Sequence, residues 1–111
     1  MLDPGPILYR DMPLYGDVDL EHGLLHAGFD PATTSYRLIE IPLAAIADVK
    51  TLATRPPVGE FYVKALRDGH NVPPVVILRL ASGWTLIDGV NRTHARWSLG
   101  MSHVQAYELL T

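Results

Sequence analysis

Asp88-Gly89-Val90-Asn91-Arg92-Thr93-His94 puts a carboxylate, a glycine, an arginine fork and an imidazole into one short stretch. Apolar residues precede it (Trp84-Thr85-Leu86-Ile87) and a run of helical composition follows, so it reads as strand, Asp-Gly turn, helix. The opening turn of a helix leaves several backbone N–H groups without partners and carries the positive end of the dipole. Gly89 lets the chain turn tightly and lets a ligand approach closely. Arg92 adds a permanently charged fork matched to phosphate or carboxylate oxygens. The chemistry is that of an anion site, with Gly89, Val90, Asn91, Arg92 and Thr93 as its first turn. The same residues also suit plain scaffolding, with Asp88 or Asn91 as the N-cap and Arg92 as a partner for Asp88.

Other residues can extend such a site. Arg96 lies one helical turn beyond Arg92, as a second phosphate contact or a solvated helix charge. Asp88 can carry Mg²⁺ through water, because hard cations on phosphates need only one or two carboxylates. His94 is placed to act as a general base or proton donor, although a lone histidine is more often simply packed. Arg55, before Pro56, belongs on a loop expected beside the turn. Glu60 is a candidate catalytic carboxylate, against the reading of a solvated helix charge. His22 and His26 have metal-ligand spacing if their segment is helical, but no third ligand is evident nearby, so a solvated pair is expected.

These residues need a framework, and composition bounds it. The chain has 111 residues, 48% hydrophobic and 19% charged, which is globular composition with room for one core. It has no cysteine, which excludes disulfides, thiolate metal sites and thiol catalysis. No apolar run approaches a membrane span and no signal-peptide pattern opens the chain, so a cytoplasmic protein without membrane attachment is expected. The net charge of −3 is uneven: residues 1–34 hold six acids against one base, and residues 35–111 hold six acids and eight bases. That division predicts an acidic N-terminal arm (1–34), rich in Pro and Gly, and a mildly basic domain (35–111). The arm is expected to wrap the domain or dock on a protein partner. The body is too weakly basic for strong DNA binding through phosphates, leaving weak contact at most.

In the arm, Leu20 to His26 predicts about one helical turn, because Gly23 argues against more. Alternation over Ser35–Ile41 predicts a half-buried strand ended by Pro42, and Leu43–Ala47 a short helix. Residues 48–54 read as a loop closing at Arg55-Pro56-Pro57. Phe61, Ala65 and Leu66, with Tyr62 beside them, form a helical apolar stripe expected to pack on the core, with Gly69 after it. Val75-Val76-Ile77-Leu78 reads as a buried central strand, and Trp84–Ile87 pairs back as a hairpin. A helix from about Asn91 to Leu99 carries Ala95 and Leu99 on one face and stops at Gly100, and His103–Leu110 is a last strand. The order predicts an α+β domain, a small mixed sheet packed with three short helices.

That order and its punctuation resemble the family of the ParB N-terminal domain and sulfiredoxin. The residues that carry the resemblance are Ile41-Pro42-Leu43, Arg55-Pro56, Pro73-Pro74-Val75-Val76-Ile77, Leu86-Ile87-Asp88-Gly89 and Arg92, with Ala95, Leu99, Gly100 and Val104. It covers roughly residues 36–108. The resemblance implies that the turn before the last helix contacts nucleotide phosphates, with Arg92 the arginine shared across the branches and the Arg55 region against the nucleotide. Sulfiredoxins have their catalytic cysteine where this chain has Val90, so sulfinic acid reduction is not available. Chromosome-partitioning ParB proteins have Gly-Glu-Arg-Arg where this chain has Gly89-Val90-Asn91-Arg92, and no helix-turn-helix domain is expected behind it. The free serine kinases of this fold keep an Asp-Gly turn like Asp88-Gly89.

The function expected is binding of a nucleotide or phosphorylated small molecule at Asp88–Ala95, with ATP or CTP and Mg²⁺ as cofactors and with NTP hydrolysis or phosphoryl transfer as the chemistry. The alternatives are a DNA-associated nuclease or plasmid or phage accessory protein, and a protein-binding module with a degenerate nucleotide site.

Overall fold

The computed structural model describes residues 6–46, 60–81 and 83–111, Glu60 by its backbone alone. Five strands, β1 (Ile7–Leu8), β2 (Ser35–Pro42), β3 (Val75–Leu80), β4 (Gly83–Asp88) and β5 (His103–Leu110), form one sheet in the order β1-β2-β5-β3-β4. Neighbours are antiparallel except β3 and β5, which run parallel. The α+β expectation therefore holds, with a mixed sheet. The β2–β5 pairing is continuous from Ser35 opposite Leu110 to Pro42 opposite His103. Pro42 is the last paired residue rather than the stop before it, a position where a missing N–H is tolerated.

Alternation along the strands divides the apolar residues between two faces. One face presents Tyr36, Val76, Tyr107 and Leu109, with Leu38, Leu78 and Ile87 at its margins. The other presents Ile41, Val75, Ile77, Val104 and Ala106, covered in part by Leu43 and Ile46 from a 3-10 turn (Leu43–Ala45) and the residue after it. This turn is shorter than the helix expected over Leu43–Ala47, whose last residue lies outside those described.

The first face is covered by the N-terminal segment, which contributes Tyr9, Met12, Leu14, Leu20 and Leu24 to the same core. Its helix α1 (Val18–His26) spans nine residues, well beyond the single turn expected. Asp17 caps it, accepting from the Leu20 N–H at 3.0 Å. Gly23 belongs inside the helix for a packing reason. A Cβ there would lie 2.6 Å from the Ile87 carbonyl oxygen, so glycine is what lets α1 press on the end of β4. The Tyr9 hydroxyl donates to the Glu21 carboxylate and accepts from the Gly16 N–H at 2.9 Å, closing the segment on itself. Burial and the Glu21 hydrogen bond push the Tyr9 phenol up to about 12.

One polar cluster interrupts the second face. Glu108 on β5 is buried and accepts from Arg37 on β2, from Arg79 Nε on β3 (2.9 Å) and from Trp84 Nε1 on β4 (3.1 Å). Burial alone raises this carboxyl, but the three donors outweigh it and hold its pKa below the ordinary range.

Two further helices stand at the end of the sheet where β3 begins and β4 ends, α2 (Glu60–Arg67) and α3 (Val90–Ser98), and they pack on each other. The stripe expected on α2 is only partly used. Tyr62, Ala65 and Leu66 are half-buried, whereas Phe61 is 74% exposed and meets Tyr62 edge-on at 5.3 Å. The buried residues of α3 are Arg92, Thr93, His94, Ala95 and Arg96, a more polar set than the expected Ala95 and Leu99 pair. Among the described residues no helix is long and apolar enough to cross a membrane.

Candidate functional site

The turn between β4 and α3 is built around Gly89. Its φ of +108° lies in the left-handed region, and a Cβ would fall 2.7 Å from Val75 Cγ1. Backbone conformation and space thus both require glycine here. Gly89 is also the N-cap of α3, and no side chain caps the helix. The Thr93 N–H reaches the Gly89 carbonyl at 2.8 Å as the first intrahelical bond. The N–H groups ahead of it lie at the positive end of α3.

That end faces a cavity of about 330 Å³ lined by Gly89, Val90, Asn91 and Arg92 from the turn, Ile87 and Asp88 from β4, Tyr62 from α2, Pro73, and Leu14, Asp17 and Asp19 from the N-terminal segment. Asp88 is not the cap. Its carboxylate accepts from the Gly89 N–H and, at 2.8 Å, from Arg92 Nη2. Burial raises the Asp88 pKa, and the nearby charges of Asp17 and Asp19 raise it further, against the opposing pull of Arg92 and the Gly89 N–H. The cavity therefore pairs a helix N-terminus with three carboxylates.

Of the residues singled out by sequence, Asp88, Gly89, Val90, Asn91 and Arg92 come together at this cavity. Thr93, His94 and Arg96 do not line it: they are buried within the α3 packing at 0%, 9% and 6% exposure. Arg92 is also 6% exposed, with Nη1 donating to the Pro73 and Pro74 carbonyls at 3.2 and 2.6 Å. Arg96 Nη2 donates to the Val72 carbonyl at 3.2 Å. Arg55 lies outside the described residues, as does the Glu60 side chain. His22 and His26 are both exposed on α1, and no group of three metal-ligating side chains is placed to hold an ion among the described residues.

Sequence reasoning missed Asp17, Asp19 and Tyr62 as site residues. Asp17 had a local signal, an N-cap residue ahead of an apolar run, but that signal predicts a helix start and not a cavity wall.

A second cavity of about 460 Å³ adjoins the first through Tyr62 and Pro73. Phe61, Ala65 and Val72 make most of its remaining apolar wall, with Lys64, Asp68, His70 and Asn71 around them.

No family model and no curated protein matches the chain. Solved structures do. Sulfiredoxin from Arabidopsis thaliana superposes with a TM-score of 0.51 at 16% identity, over 64% of this chain and 82% of that one. A Pnob8-like ParB-N domain superposes with a TM-score of 0.53 at 21% identity, over 70% of this chain and 31% of that one, so this chain spans about a third of the ParB-N chain's length. The chain has the ParB/sulfiredoxin-like fold.

Proposed function

We propose that the protein binds a nucleotide as its magnesium chelate, with the phosphates against the first turn of α3 and the base end in the neighbouring apolar cavity. The observation that carries this reading is the first turn of α3, uncapped by any side chain and opening on a cavity that Asp17, Asp19 and Asp88 also line. The N–H groups and dipole favour an anion. The carboxylates oppose a bare anion and favour a cation, and a phosphate chelated to a divalent metal satisfies both. Among the described residues no three metal-ligating side chains are placed to hold an ion, so Mg²⁺ would keep waters and phosphate oxygens as its main ligands, with Asp88, Asp17 and Asp19 facing that shell. The metal would neutralise phosphate charge. Asn91 is exposed at the cavity and free to meet a phosphate oxygen, and Tyr62 offers an aromatic face at the junction of the two cavities. Turnover by hydrolysis or phosphoryl transfer would rest on electrostatic stabilisation by the turn amides and the metal.

The test is a thermal-shift titration with ATP, CTP, GTP and ADP, each with and without Mg²⁺. A ligand that binds only the folded state adds about 1.4 kcal/mol of stability at ten times its dissociation constant. The expected result is a shift for at least one nucleotide that needs Mg²⁺. Absence of any shift at millimolar ligand overturns the reading, and a shift with duplex DNA alone would replace it with the nucleic-acid alternative.

A further inference from the structure

Arg92 and Arg96 stand one turn apart on the buried side of α3, and both reach the same segment. Arg92 Nη1 takes the Pro73 and Pro74 carbonyls at 3.2 and 2.6 Å, and Arg96 Nη2 takes the Val72 carbonyl at 3.2 Å. Three successive carbonyls between α2 and β3 are thus held from one helix. Pro73 and Pro74 have no N–H, so this stretch cannot anchor itself by donating backbone bonds, and its carbonyls are the handles that remain. Arg92 also binds Asp88 at 2.8 Å, joining the segment to the end of β4.

We infer that Arg92 and Arg96 are positioning residues, a paired latch that holds Val72–Pro74 against α3 and so sets the wall shared by the two cavities. Pro73 lines both cavities and Val72 lines the larger one. The latch itself is independent of ligand identity; its consequence for binding rests on the nucleotide reading above. Three of the five guanidinium N–H donors of Arg92 are committed to the protein, and the side chain is almost wholly buried. Its work is therefore within the protein rather than on a phosphate. The geometry requires arginine. A lysine ammonium is a single point on a flexible stem and cannot bridge two carbonyls and a carboxylate in fixed directions.

The experiment compares wild type, Arg92→Lys and Arg96→Gln by amide hydrogen exchange without ligand, then by titration with magnesium complexes of adenosine and cytidine mono-, di- and triphosphates. In both variants the Val75 and Val76 amides at the start of β3 are expected to exchange about tenfold faster or more, while those of β2 and the rest of β5 are unchanged, showing local release in an intact fold. Affinity is expected to fall by the same factor for mono-, di- and triphosphates, because the latch shapes the cavity without touching the phosphates. Unchanged exchange at Val75 and Val76 in both variants overturns the latch. So does an affinity loss that grows with phosphate number while exchange stays at wild-type rates, which marks a direct phosphate contact. If wild type binds none of these nucleotides, the functional reading fails, and the exchange comparison still decides the latch. If Arg92→Lys does not fold, Arg96→Gln, which breaks a single carbonyl contact, carries the comparison.

Discussion

Half-buried Asp88 and buried Glu108 are held in opposite electrostatic states. Asp88 has its pKa raised by burial and by Asp17 and Asp19, so the folded state binds its proton more readily than the unfolded chain does. Its charge then works against folding as pH rises from its ordinary value of 3.8 through the raised value. Asp88→Asn, which cannot titrate, is expected to lose this pH dependence, its melting temperature gaining on that of wild type as pH rises from acid to neutral, and to lose the Mg²⁺ dependence of nucleotide binding. Melting curves across pH 3–8 check the first part. Glu108 is the reverse case. Its folded pKa is depressed, so its contribution is fully present above the ordinary value of 4.5 and is lost as pH falls through the depressed one. Glu108→Gln leaves Arg37 and Arg79 facing a neutral amide. A loss of about 2 kcal/mol is expected, below the value for a fully buried pair because both arginines remain partly solvated. Denaturant unfolding at pH 7 and near pH 3 should show that difference shrinking in acid.

The elements owe their placement to close approaches that single residues permit. Gly23 is the clearest. In an isolated helix, Gly→Ala gains about 1 kcal/mol of propensity. Here the added methyl would lie 2.6 Å from the Ile87 carbonyl oxygen, a backbone atom that cannot turn aside. Gly23→Ala is therefore expected to destabilise by about 1–3 kcal/mol. It should also move Asp17 and Asp19 away from the α3 turn and weaken the Mg²⁺-dependent thermal shift. A stabilising Gly23→Ala would contradict the packing of α1 on β4. The same element carries the main difference between expectation and structure: a glycine that reads as a helix breaker is a contact residue.

Across the whole molecule, the acidic N-terminal segment is part of the fold's core. Its Tyr9, Met12, Leu14, Leu20 and Leu24 lie on Tyr36, Val76, Tyr107 and Leu109. Removing residues 1–33 would uncover that sheet face, an apolar patch that a monomer in water does not sustain. The truncated chain is expected to aggregate or to lose its cooperative unfolding transition, by near-UV circular dichroism and sedimentation. A well-folded, monomeric 34–111 fragment would show instead that the segment is dispensable.

What the sequence determined by itself is what depends on neighbours in the chain. Alternation placed β2 and a continuous apolar run placed β3, because a half-buried strand alternates and a strand covered on both faces does not. Asp88-Gly89 announced the β4–α3 turn, because Gly89 takes up a left-handed φ that other residues avoid. The order of these elements was enough to point to the ParB/sulfiredoxin-like fold. The tertiary structure alone decided which side chains share a space. It brought Asp17 and Asp19, some seventy residues before the turn in the chain, to the α3 N-terminus. It left Phe61 in solvent and turned Thr93, His94 and Arg96 inward, although helical spacing allowed either outcome. It also gave Arg92 the Pro73 and Pro74 carbonyls, which no local pattern announces, beside the Asp88 partner that the sequence had offered. A motif fixes the shape of a turn through local sterics, whereas the charges, walls and partners around that turn arrive from distant segments whose approach is set by burial.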